Sequence, residues 1–221
     1  LNKRFYTELA YWYFWAVKHV AFPLGGGEDE SKRNSVAVIR LLTRLIFAWF
    51  IKEKGLIPED LFEPAQLKTL LKSDPAANGE DSTYYLAILQ NLFFASLNVE
   101  MGADRKWAAD GGGMKGDKLI HSLYRHKEMF RDPDHALKEY FSKIPFLNGG
   151  LFECLDRELT ERDFQRNPEL KALAVKEGNG FVLRVDGFSR RKDAQPIVPN
   201  KIFFGGETQA DLNDDLGTKG K

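Results

Sequence analysis

Apolar residues recur at intervals of three and four through the opening of the chain. Phe5, Leu9, Trp12, Ala16 and Val20 fall on one stripe, which predicts a helix over residues 2–20. The run Phe22-Pro23-Leu24-Gly25-Gly26-Gly27 breaks that period, and the charged stretch behind it reads as an exposed loop and linker. A second helix is expected from Asn34, as its cap, to a stop at Gly55. It is apolar nearly all round, which places it at the centre of a bundle. Its interior charges, Arg40 and Arg44, are four residues apart and share a face.

Pro58 and Pro64 each open a short helical turn. Ser82 is placed to cap a helix reaching Asn98, with Tyr85, Ile88, Leu89, Leu92 and Phe93 as its core stripe. Residues 102–118 are glycine-rich and poor in apolar groups, the composition of a mobile loop. Asp132-Pro133 starts a helix that Pro145 ends.

Beyond Pro145 the period shortens. The runs FLNGGLFECL, GFVLRVDGFS and PIVPNKIFF are short, β-branched or aromatic, and bounded by Gly and Pro, as strands are. The stretch between the first two reads as one or two helices. Within residues 146–156, Asn148, Gly149 and Gly150 suit a tight turn. Phe152 and Cys154 then alternate with Leu151, Glu153 and Leu155 as in a largely buried strand. The expected fold is therefore mainly α: a helical bundle over 1–145, a small mixed α/β portion over 146–205, and a flexible tail or linker over 206–221.

Composition narrows the functional classes. With 221 residues, 43% of them hydrophobic and 13% aromatic, the chain can build a large aromatic core. Thirty-two basic residues balance 32 acidic ones, which argues against coating nucleic acid by bulk charge and leaves room for a local basic stripe. A single cysteine excludes an intramolecular disulfide and a cysteine-based zinc site, and points to a reducing, cytoplasmic setting. No signal peptide is visible and no uninterrupted apolar run reaches about eighteen residues, so no membrane span is expected. A start at Leu1 and a loose polar end read as a piece of a longer protein.

Candidate chemistry is sparse. Cys154 could serve a small hydrolase, but a thiol nucleophile needs a base within reach. The four histidines lie in the helical part without a partner motif, and Cys154 sits among Leu151, Phe152 and Leu155 like a small core residue. His121 and His126 are five apart, do not share a helical face, and read as exposed rather than metal-binding. A nuclease-like pairing of Pro133-Asp134 with Glu169-Leu170-Lys171 fails because both pieces read as helix starts, not adjacent strands. The glycines after Pro23 follow a helix, not a strand, so they are not a cofactor loop. No catalytic residue and no metal ligand is expected. The basic residues are the remaining candidates for DNA backbone contact: Lys32, Arg33, Arg40 and Arg44 on the second helix, and Arg190, Arg191 and Lys192 after the VDGFS run. For Arg40 and Arg44, buried ion pairs with Glu8, Glu53 or acids elsewhere in the parent are the favoured reading, since buried charges are usually paired. An autonomous nucleic-acid-binding module is thus one reading.

The order of blocks carries more than any one of them. NKRFYTELAYWYFWAV, RNSVAVIRLLTRLIFAWFIKEKGLIPEDLF, STYYLAILQNLFFASLN, IPFLNGGLFECLD, VDGFS and VPNKIFFG follow one another from about Asn2 to Gly205. This arrangement resembles the segment ahead of the methyltransferase domain in type IIG-like restriction–modification proteins, which join a nuclease, a helical connector and an adenine-specific DNA methyltransferase. The resemblance implies a non-catalytic connector that docks the methyltransferase domain beside its neighbours and touches DNA. S-adenosylmethionine and magnesium would belong to the parent protein. The family's Asn-Pro-Pro-Tyr loop is absent; Asn167-Pro168-Glu169-Leu170 departs from it at the third and fourth positions, so no catalytic role carries over.

Overall fold

The structure is a computed structural model and describes residues 2–102, 105–109, 121–147 and 149–205. Most of the glycine-rich stretch, the turn residue Asn148 and the tail 206–221 lie outside the described residues. The protein is mainly helical with one small three-stranded antiparallel sheet, as its sequence predicts.

Helix α1 (Asn2–His19) and helix α2 (Glu30–Glu53) pack together. The cap of α2 is Asp29, whose carboxylate accepts from Lys32 N, and not Asn34. Asp29 with Glu30 places negative charge at the positive end of the helix. Asn34 lies one turn inside and is buried. It accepts from Phe22 N and donates to Val20 O, tying the end of α1 to α2. Nor is α2 the centre of a bundle. Ala37, Val38, Leu41, Ala48 and Ile51 face the core, while the opposite side is open to solvent and apolar. By length and composition alone this helix could cross a membrane, contrary to the sequence expectation. One face of it is nevertheless packed into the core, and Arg44 at its middle is ion-paired inside the protein.

Helix α3 (Pro64–Leu70) starts on Pro64 as expected. The segment Tyr84–Leu89 and Asn91–Leu97 forms a wide π-helix, buried throughout. Ser82 does not cap it; its hydroxyl accepts from Val198 N. Asn200, more than a hundred residues on, accepts from Tyr84 N instead. Helix α4 (Pro133–Glu139) is capped by Asp132 through His135 N.

The chain after Pro145 is rearranged relative to its predicted strands. Residues 150–156 are a single 3₁₀ turn followed by extended chain outside the sheet. Strands β1 (Arg157–Leu159), β2 (Ala174–Glu177) and β3 (Gly180–Leu183) form the sheet in the order β1-β3-β2, with helices α5 (Glu161–Arg166) and α6 (Leu170–Leu173) between the first two. Only β3 lies in a predicted strand; β1 and β2 lie in a stretch read as helix. Lys201–Phe204 is helix α7 where a strand was expected. One hydrophobic core takes residues from both sides of Pro145. Phe93 stacks on Phe152 at 5.8 Å between ring centres, and Phe94 meets Phe188 at 5.2 Å.

Candidate functional site

Where the helices meet the sheet, the fold buries a group of charges. Arg44 comes from α2, Glu177 from the end of β2, Arg184 and Asp186 from just after β3, and Asp156 from just before β1. All five are buried. Charges in such a place persist only when paired and hydrogen-bonded.

Asp156 is the hub. Its Oδ1 accepts from the backbone N–H of Val185, Asp186 and Gly187 at 2.7, 2.8 and 3.0 Å. Its Oδ2 accepts from Phe188 N at 2.9 Å and from an Arg184 guanidinium nitrogen at 3.1 Å. The rest of that guanidinium forks onto Glu177 at 3.0 and 2.8 Å, the bidentate geometry that arginine favours. A single carboxylate therefore shapes the whole VDGFS turn. Gly187 completes it with φ 63°, and a Cβ there would fall 2.6 Å from Ala194 O, so no other residue fits.

Asp186 and Arg44 form the second half. They pair at 2.9 Å. Asp186 also accepts from Leu155 N at 2.8 Å, and Arg44 donates to Leu151 O and Glu153 O at 3.0 and 2.8 Å. These side chains supply the hydrogen bonds that a neighbouring strand would give to residues 151–155. That accounts for the buried–exposed alternation there without a sheet partner. Arg44 further lies over Phe94, 4.9 Å from the ring centre.

The glycine run before α2 belongs to the same assembly and is not a free linker. A Cβ on Gly25 would sit 2.2 Å from Arg184 O, so the loop is pressed onto this clasp of paired charges around Asp156 and Asp186. Pro23 lies against Gly187. The two predicted basic clusters are thereby attached to segments that pack on one another. Within them, Lys32 and Lys192 are exposed. Arg33 donates to Phe22 O, Gly27 O and Glu28 O, holding the glycine loop. Arg190 donates to Ala109 O; Arg191 pairs with Asp193 and donates to Lys176 O. Arg44 is 4% exposed and its guanidinium faces Asp186 rather than solvent. Arg40 is half-buried, with a buried Nε that has no hydrogen-bond partner among the described residues. The suggested partners Glu8 and Glu53 pair with Arg4 and Lys52 instead.

Cys154 is buried, as its neighbours imply. The structure brings a histidine to it after all: one ring nitrogen of His121, the Cys154 sulfur and an Asp156 oxygen lie within 4.8 Å of one another. Neither His121 nor His126 is the exposed histidine expected, the one being half-buried and the other buried. Burial lowers the His121 imidazole to about 4 and pushes the Cys154 thiol well up. At neutral pH the pair is thiol and neutral imidazole, with no thiolate to attack. The five donors on Asp156 already exceed the roughly four lone-pair sites a carboxylate offers, which leaves it poorly suited to a metal ion. The cluster is built as a packed core contact.

Apolar surface remains open on the helices. A groove of about 430 Å³ opens beside α2, lined by Phe5, Leu45, Trp49, Phe62, Phe203 and Phe204 among others. On α1, Phe5, Tyr6 and Phe14 are exposed.

Against known proteins, 124 residues of the chain are 29% identical to part of a protein of Methanocaldococcus jannaschii provisionally named a type II restriction enzyme and methyltransferase. The match takes in 56% of this chain and 8% of that protein's length. It relates the chain to restriction–modification proteins. No protein-family model matches the chain, and no solved structure does.

Proposed function

We propose that the chain is a non-catalytic connector of a restriction–modification protein. It would dock the methyltransferase domain beside its neighbours and meet the DNA backbone through basic residues at the start of α2 and in the loop after β3. The observation that carries this reading is an inversion of the usual active-site layout. The dense polar cluster around Asp156 and Asp186 is closed and saturated internally, while large apolar surfaces on α1 and beside α2 lie open. Enzyme sites need reactive polar groups facing a cleft; docking elements need exposed apolar faces. The similarity to the Methanocaldococcus protein supplies the restriction–modification context. S-adenosylmethionine and magnesium would act in other parts of the parent protein.

For DNA, the exposed Lys32 and Lys192 are the leading contacts, with Arg190 and Arg191 beside them. Arg33 serves the glycine loop first. Arg44 is left out, because its guanidinium is held inside the protein by Asp186. The test combines two measurements on the chain. Incubation with S-adenosylmethionine and duplex DNA is expected to give no methyl transfer, and turnover by the chain alone would sink the connector reading. Fluorescence anisotropy with duplex DNA is expected to show binding that weakens with salt, its logarithmic slope falling by about one for each of Lys32→Gln and Lys192→Gln. A flat titration at low salt would remove the DNA contact and leave the connector.

A further inference from the structure

The open face of α2 has a period of its own. Val36, Ile39, Thr43, Ile46 and Phe50 are spaced three, four, three and four residues apart, the repeat of a coiled-coil seam. Phe47 and Trp49 flank it. Val36, Ile39, Ile46, Phe47, Trp49 and Phe50 are 44 to 60% exposed, on a helix whose other side is packed into the core. A surface helix of a globular protein normally shows the reverse, with polar groups outside. A helix with a matching apolar stripe would cover this face, and α2 itself has that pattern.

We infer that α2 packs against α2 of a second copy of this chain, antiparallel, to form a two-fold dimer. The area is sufficient. Aromatic side chains carry roughly 150–250 Å² each. Half-exposure of three of them with three aliphatic neighbours leaves on the order of 500 Å² of apolar surface per copy, at the upper end for a monomer. Two copies would bury about 1,000 Å², the threshold of a biological interface. The charges choose the direction. Glu28, Asp29 and Glu30 are exposed at the start of the helix, and Lys54 is exposed at its end beside Phe50. A parallel pair would stack three acids on three acids. Reversal separates them and opposes the helix dipoles. Centring the two-fold at Leu41 sets Val36 against Ile46, Ile39 against Thr43 and Glu28 against Lys54 of the other copy. Ile46 and Trp49 also form one wall of the groove beside α2, so the dimer narrows that groove, while the outer face of α1 stays open for neighbouring domains; the inference does not rest on the connector reading.

Sedimentation equilibrium of the chain is expected to give a dimer, and Ile46→Glu and Val36→Glu, each setting a carboxylate against an aliphatic side chain of the other copy, are each expected to give folded monomers by circular dichroism. Phe14→Glu on α1 should leave the dimer intact. Mild oxidation of the double variant Ile39→Cys with Thr43→Cys should give a covalent dimer, and either single variant very little; Cys154 is buried and adds no thiol. A native chain that stays monomeric overturns the inference, whether or not it binds phosphatidylcholine vesicles through this face. So does a dimer indifferent to both glutamates. Efficient cross-linking of the single Ile39→Cys variant would show a parallel pair and overturn the arrangement. These readouts involve no DNA or cofactor, so their failure is distinct from failure of the connector.

Discussion

Asp156 shows how much one side chain can fix. Five donors converge on its two oxygens, four of them consecutive backbone amides of the VDGFS turn. Asp156→Asn keeps the shape but turns an NH₂ group toward N–H donors and leaves Arg184 with Glu177 alone. The expected loss of unfolding free energy is about 3–5 kcal/mol, the cost of breaking a buried pair, measured by urea denaturation. Acid should act at other residues. The His121 imidazole titrates near 4 in the folded protein, against about 6.5 when unfolded. His126 shifts in the same direction, because burial disfavours its charged form. Between those pH values the unfolded chain binds protons that the folded one refuses. Stability is thus expected to hold above about pH 6.5 and to fall as pH drops toward 4. The urea midpoint followed across that range should flatten in a His121→Gln, His126→Gln double variant; an unchanged slope would contradict the assignment.

Helices announced themselves by period, and their surroundings did not. Helix α1 itself, the proline starts of α3 and α4 and the Asp132 cap were all legible, because each depends on residues within a turn or two, though Phe5 of the predicted α1 stripe is exposed. The misplaced features depend on distant partners. Asn34 looked like a cap and is a tether to Phe22 and Val20; Ser82 looked like a cap and serves Val198. The actual cap of the π-helix, Asn200, could not be found from local pattern, since more than a hundred residues separate it from Tyr84. Asn200 also donates to Asn78 O. Asn200→Ala is expected to cost about 1–3 kcal/mol by stranding the buried Tyr84 amide. Hydrogen exchange at the first turn of that helix should speed up relative to α2, and equal protection would refute the cap. Residues 151–155 failed as a predicted strand for a related reason: alternation reports burial, and here Arg44 and Asp186 replace the ladder.

Taken whole, the molecule buries one paired group of charges within a hydrophobic core and leaves apolar surface open on α1 and α2. The ordered blocks of the sequence include FLNGGLFECLD and VDGFS, but nothing in that order shows that they grip each other through Asp156 and Asp186. The signal was present as two aspartates in glycine-containing apolar runs, but a pairing between them is a long-range fact. Sequence also assigned α2 to the middle of a bundle, because apolarity all round does not say whether the outer side meets this chain or another one. The clasp has a consequence in time. Arg44 and Asp186 are 142 residues apart, and a ribosome adding about 5–20 residues each second leaves Arg44 without its carboxylate for roughly 7–28 s. Through that interval α2 is already synthesised, with apolar groups on every side and a stranded cation at its middle. The distance between these two residues thus sets how long α2 waits unpaired, and ribosome-bound chains stalled before Asp186 are expected to be more protease-sensitive at α2 than chains stalled after it.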